Sequence, residues 1–335
     1  MRMKRIARAS LAGLWLITVS LAITGALYEM IGRWRDTRRF PQRGHLVHAG
    51  SIRMNIDCSG QGSPTVILES GSGGPSLDWL MVQPEVAKFS RVCSYDRAGY
   101  GWSESGPEPR SSLQIARELK QLLQAAGEKG PYVLVGHSMG GYDIRVYTGR
   151  YPNDVAGMVL VDASHEDQDL RAPESIRIWL QDYRKHPGWK KLKYFFQLHL
   201  GWARLTVDRD APAFWPKAFR EEENFLMLPT KHQFATIDED QVFPSLSAAQ
   251  VRSAGNLGDR PLIVLTATRQ DDIPPEIPRQ DAQADEDLWV HRLQPELARL
   301  STHGKQIVVD SSHEMPTEHP EVVISAIHEV WLAVR

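Results

Sequence analysis

The segment Tyr132–Gly141, YVLVGHSMGG, restricts the fold of this chain more than any other stretch. An apolar run of the buried-strand kind enters Gly136-His137-Ser138-Met139-Gly140, and a helical pattern then continues to about Arg150, stopped by Pro152. A G-x-S-x-G sequence between a strand and a helix demands a tight turn, which glycines permit because they lack a Cβ where the backbones crowd. Ser138 therefore belongs on the turn itself, its hydroxyl facing solvent above the sheet. The Met139 N–H and the N-terminus of the following helix then point towards any negative charge that develops beside that hydroxyl.

The surrounding pattern is that of a mostly parallel sheet. Two β-rich segments, His45 to Ala49 and Arg53 to Cys58, flank the turn Gly50-Ser51 and read as a hairpin. Short apolar runs follow at Thr65 to Glu69, Arg91 to Tyr95 and Gly157 to Asp162, and helical spacing appears at Leu113, Ala116, Leu119, Leu122 and Leu123. Strands alternating with helices imply an α/β fold. From Ala163 to about Gly258 the character changes to aromatic and charged residues of helical tendency without a core strand, which reads as an inserted helical cap. Strand logic returns at Pro261 to Ala267, followed by a helix near Trp289 to Leu300, a strand at Gln306 to Asp310 and a last helix opened by Pro320. The expected organisation is a basic tail (1–9), an apolar span (10–28), a linker (29–44) that is basic from Arg33 to Arg43, a core in two parts (45–162 and 259–335) and the cap (163–258).

The run Ser10 to Tyr28 is uncharged and about as long as a helix needs to cross a bilayer. It reads as a transmembrane anchor, with a cleaved signal peptide or a buried helix as the alternatives. Arg2, Lys4, Arg5 and Arg8 precede it and Arg33, Arg35, Arg38 and Arg39 follow, so the charge rule for orientation is nearly balanced. The α-amino charge before the span, with Glu29 and Asp36 after it, tilts the expectation to a catalytic domain outside the cytoplasm. A net charge of −2 from 39 basic and 41 acidic residues provides no field for polyanions, so nucleic acid is not an expected partner. The histidines, acids and two cysteines show no metal-ligand spacing, and no cofactor is expected.

From about His45 to its end the chain resembles the α/β-hydrolase superfamily. Ser138 falls where that family keeps its nucleophile. Tyr95-Asp96-Arg97-Ala98-Gly99-Tyr100-Gly101-Trp102-Ser103 is similar to the family's D-x-x-G-x-G-x-S turn, and Glu69-Ser70-Gly71-Ser72-Gly73-Gly74-Pro75 stands where the family has its oxyanion loop. The resemblance implies an eight-stranded sheet with helices on both faces. In the loop Ser70 replaces the usual histidine, so only a backbone role carries over, to the N–H of Ser72 with Gly73 as the near alternative; Met139 supplies the second donor.

A serine nucleophile needs a base held by a carboxylate. Of 12 histidines, His313 matches the family's histidine loop, following the last strand and preceding Pro320 by seven residues. His319 reads as a helix cap, and His137 is expected to point elsewhere. Two positions satisfy the chain order for the acid: Asp162 at the end of the sixth strand, and Asp271 or Asp272 after the seventh. The family strand order would also put Cys58 beside Cys93, as a disulfide or as packed free thiols.

The implied reaction is acyl transfer to water from carboxylic esters, with thioesters and amides open, on a small-molecule ester or lipid-like substrate with an apolar acyl or alcohol group. The family's epoxide and haloalkane hydrolases carry aspartate at the elbow, unlike Ser138. Cap aromatics Trp179, Phe195, Phe196, Trp202, Phe214 and Trp215 are candidates for an apolar pocket. A non-catalytic binding protein on the same fold, or a membrane scaffold, would be distinguished by failure to react with a fluorophosphonate.

Overall fold

The short apolar runs assemble into one eight-stranded sheet in the order β1-β2-β4-β3-β5-β6-β7-β8. The computed structural model describes residues 2–207, 214–269 and 273–335. Helix α1 (Arg2–Arg39) precedes the hairpin β1 (His45–Ala49) and β2 (Ile52–Ser59). Strands β3 (Val66–Glu69), β4 (Val92–Tyr95), β5 (Tyr132–His137) and β6 (Val155–Val161) alternate with α2 (Ser112–Ala125) and α3 (Gly140–Arg150). The segment after β6 contributes cap helices α4 (Glu174–Tyr183), α5 (Pro187–His199), α6 (Trp202–Thr206), α7 (Lys217–Met227), α8 (Thr230–Val242) and α9 (Ala248–Ser253). The core resumes with β7 (Leu262–Ala267), α10 (Arg279–Leu288), α11 (Gln294–Ala298), β8 (Gly304–Val309) and α12 (Pro320–Ala333). Among the described residues only β1 with β2 and β2 with β4 run antiparallel.

Side chains alternate across the central strands, as a sheet covered on both faces requires. Leu134, Met158, Leu160 and Val264 face the core beneath α2 and α3. Val133, Val135, Val159 and Leu265 face the opposite core with Val323, Ile327 and Trp331 of α12. Burying each such aliphatic side chain contributes about 1.5–3 kcal/mol. All the parallel strands therefore end at the same edge, where the loops after β3, β5, β6 and β8 meet.

Cys58 and Cys93 are directly opposed in the β2/β4 ladder and form a disulfide. Among the described residues one group has metal-ligand atoms within 4.8 Å of one another, Cys58, Cys93 and Glu128, and its two sulfurs are bonded to each other.

The expected linker after residue 28 departs from the sequence reading, because α1 continues unbroken to Arg39. Residues 29–39 hold no proline, Glu29 pairs with Arg33 one turn on at 3.2 Å, and Pro41 follows the helix end. Cap residues reinforce this extension: Arg204 pairs with Glu29 and Asp36, and Arg39 pairs with Glu221. By length and composition Ser10–Arg39 can cross a membrane, a test that a signal sequence near an N-terminus also passes.

Candidate active site

The turn between β5 and α3 holds Ser138 at φ +52°, a left-handed backbone that a non-glycine residue adopts at a cost of order 1–3 kcal/mol. Three backbone hydrogen bonds fix it: the Ser138 N–H donates to the Val161 carbonyl at 3.1 Å, and its own carbonyl accepts from the N–H groups of Gly141 and Ser164, both at 3.0 Å. The flanking glycines are sterically required. A Cβ on Gly136 would lie 2.7 Å from the Gly140 carbonyl oxygen, and one on Gly140 would lie 2.6 Å from that of Ser70.

Beyond β6 the chain makes a second left-handed turn at Asp162, φ +41°. This aims its carboxylate across the sheet edge at the loop after β8, where His313 Nδ1–H donates to Oδ2 at 2.6 Å. The other oxygen, Oδ1, accepts from the Ala267 N–H at 2.9 Å and from the Trp289 indole N–H at 2.8 Å. Trp289 opens a π-helical turn, Trp289–Leu293, between α10 and α11, the kind of irregularity that re-aims a side chain. Asp271 and Asp272 lie outside the described residues. Ser138, Asp162, Trp289 and His313 line one cavity of about 270 Å³, walled on the cap side by Ile176, Trp179 and Leu180. Replacing Trp289 with Phe removes one donor from Asp162 while keeping a ring in place, so we expect kcat to fall about tenfold with KM nearly unchanged. Steady-state kinetics beside an unaltered melting temperature checks this.

The loop after β3 passes over the Ser138 turn: a Cβ on Gly71 would lie 3.0 Å from Ser138 Cβ. Among the described residues the N–H groups of Ser72 and Met139 have no hydrogen-bond partner, whereas the Gly73 N–H faces the Tyr100 hydroxyl at 3.4 Å. The D-x-x-G-x-G-x-S turn holds this loop from below. Asp96 accepts from the N–H of Ser76 at 2.8 Å and of Trp102 at 3.0 Å. Arg97, 2% exposed, donates to the carbonyl oxygens of Ser70 at 2.6 Å and Gly71 at 2.5 Å.

Arg97 also bridges two buried carboxylates, Glu69 at 2.9 Å and Glu239 of cap helix α8 at 3.2 Å. Burial pushes the Glu69 carboxyl above the usual carboxylate range, and the Arg97 charge opposes that shift. Arg97 thus ties the core, the loop and the cap together. Arg97→Met leaves Glu69 buried without its cation and Glu239 with Arg110 alone, at 3.9 Å, and a loss of about 3–5 kcal/mol in denaturant unfolding is expected.

His137 departs from the expectation that it points elsewhere. Its ring lies 4.7 Å from that of His313, centroid to centroid, and its Nε2–H donates to the His313 carbonyl at 2.9 Å. Burial, and next the proximity of His313, hold its pKa down at about 3, so it stays neutral and buttresses the histidine loop. The cause is the last residue of β5, whose side chain alternates into the crevice beside that loop. His319 stands at the N-terminus of α12, 3.1 Å from Glu321.

The cap aromatics divide in a way their sequence does not reveal. Trp179 reaches the cavity. Phe195, Phe196, Trp202 and Phe214 are exposed on the outer surface, and Trp215 packs on Phe219 and donates to Thr317 at 3.0 Å. Helix α5 turns its buried residue, Leu198, inward and so presents the Trp189 and Phe196 side of the helix to the outside.

Comparisons with known proteins agree with this architecture. Over 136 residues the chain is 34% identical to "Probable transporter efuK" of Hormonema carpetanum, covering 38% of this chain and 20% of that protein. Against the uncharacterized protein YqjL of Bacillus subtilis it is 25% identical over 277 residues, 82% of this chain and 86% of that one. The first curated relatives are matched over only a fifth to a half of their own length. A putative lipase from Acinetobacter baumannii superposes with a TM-score of 0.63 at 21% identity, over 91% of this chain and 96% of that one. Other solved neighbours include epoxide hydrolases and an esterase. The sequence model described as alpha/beta hydrolase fold matches residues 64–320, which span β3 to the start of α12 and hold every group of the cavity; the chain belongs to the α/β-hydrolase fold family.

Proposed function

We propose that this protein is a serine hydrolase that forms an acyl-enzyme on carboxylic esters with an apolar acyl or alcohol group, anchored to a membrane by α1. The observation that carries the reading is the 2.6 Å contact of His313 with Asp162 on the wall of the cavity that Ser138 enters from a strained turn. Hydrolysis follows from these groups in order. His313 Nε2 takes the proton of the Ser138 hydroxyl as the oxygen attacks the ester carbonyl. The tetrahedral oxyanion accepts hydrogen bonds from the N–H groups of Ser72 and Met139. The imidazolium, stabilised by Asp162, then protonates the leaving alcohol, and water deprotonated by His313 releases the acid.

Ile176, Trp179 and Leu180 on the cap side support an apolar substrate group, and the cavity has room for a short to medium chain. The Cys58–Cys93 disulfide supports an oxidising compartment, hence a catalytic domain outside the cytoplasm. Hydrolysis of a p-nitrophenyl ester series, beside labelling by a fluorophosphonate, tests the reading. Turnover and a covalent adduct on Ser138 are expected; a folded protein that shows neither would be a binding protein on this fold.

A further inference from the structure

We infer that the outer face of cap helices α5 and α6 is a second membrane contact, seated at the boundary between headgroups and acyl chains of the bilayer that α1 enters. This rests on the reading of α1 as a membrane anchor and adds a surface to it.

Two independent observations converge. The first is where α1 meets the cap. Gly25 lies against the Leu200 backbone, so close that a Cβ there would be 2.3 Å from its carbonyl oxygen, and Gly201 lies against Tyr28. Both α1 residues belong to the last turn of the uncharged run that ends at Tyr28. A helix rises about 1.5 Å per residue, so Gly25 stands about 4.5 Å deeper than Tyr28. If the run Ser10 to Tyr28 fills the hydrocarbon, the α5–α6 junction is level with its edge. The next contacts along α1 suit the headgroup layer: Arg204 with Glu29 and Asp36, Arg39 with Glu221, and the guanidinium of Arg38 stacked 3.8 Å over Trp34.

The second observation is what this junction exposes. Trp189 is 70%, Phe196 52%, Trp202 58% and Leu205 60% accessible. Trp189, Leu192 and Phe196 fall at three- and four-residue steps on one side of α5, opposite the buried Leu198. Lys193 borders that stripe, while Lys190 turns back to the Tyr183 carbonyl and Lys191 pairs with Asp238 of α8 at 2.6 Å. An aromatic stripe with a lysine at its margin fits a helix lying in a bilayer interface. In water a contiguous apolar surface of this kind is unusual for a soluble domain. Because α4, which contributes Trp179 to the cavity, joins α5 through residues 184–186 alone, this seating would place the cavity wall close to the lipid.

The test uses the full chain in vesicles of phosphatidylcholine and anionic phosphatidylglycerol. With Cys58 and Cys93 bonded to each other, a single introduced thiol takes an environment-sensitive fluorophore at Leu16→Cys in the anchor, Phe196→Cys or Trp202→Cys on the cap, or Thr302→Cys on an exposed loop before β8. Lipids with a nitroxide just below the headgroup should quench the cap labels about twofold and the position-302 label negligibly. A deep nitroxide should quench the position-16 label. Quenching at position 16 with cap labels that behave like position 302 would overturn the cap contact and leave the anchor standing. Absence of quenching at position 16 would overturn the anchor, and the cap contact with it.

Discussion

Ser138→Ala should abolish ester hydrolysis, with kcat reduced roughly 10⁴–10⁶-fold and no fluorophosphonate adduct. His137, beside Ser138 on the turn, is neutral and engaged with the His313 carbonyl. The fold should survive, since the fixing bonds of residue 138 are all backbone. The backbone angle gives an internal control. Alanine retains the left-handed strain at φ +52°, whereas glycine relieves it, so Ser138→Gly should be equally inactive yet more stable than Ser138→Ala by about 1 kcal/mol. Denaturant titration of the two variants beside the ester assay separates the chemical role of the hydroxyl from the structural demands of the turn. Residual activity near wild type in either variant would remove Ser138 from the mechanism.

Asp162→Asn should lower kcat about 10⁴-fold with the fold intact. The substitution is close to isosteric, and the amide oxygen can still accept from the Ala267 and Trp289 N–H groups. The amide nitrogen then faces His313 Nδ1 as a donor, so the imidazole must carry its proton on Nε2. In that tautomer it cannot accept the Ser138 proton. With Asp162 as the acid, Asp271→Asn is expected to change the rate by less than about threefold. The reverse ranking of the two variants would assign the acid to Asp271.

The elements that were readable from sequence are those whose signal is local. Alternating apolar residues in Val133 to Val135 and Met158 to Val161 encode strands covered on both faces, because side chains on a strand alternate with period two. Glycines 136 and 140 encode a turn too crowded for a Cβ. The continuation of α1 past Tyr28 has no local signal, because charges do not end a helix when partners one turn away and on the cap neutralise them.

Local pattern therefore establishes an α/β core and the turn that carries Ser138, and the resemblance to the α/β-hydrolase superfamily adds the loop that carries His313. Which carboxylate meets that histidine, that Trp289 and Arg97 brace the site, and which cap aromatics face the cavity are decided only in three dimensions. Asp162 and His313 are 151 residues apart, and Arg97 and Glu239 are 142 apart. Such pairs are made by the β6-β7-β8 order and by the seating of the cap on the sheet edge, through distances and directions that no local pattern of residues encodes.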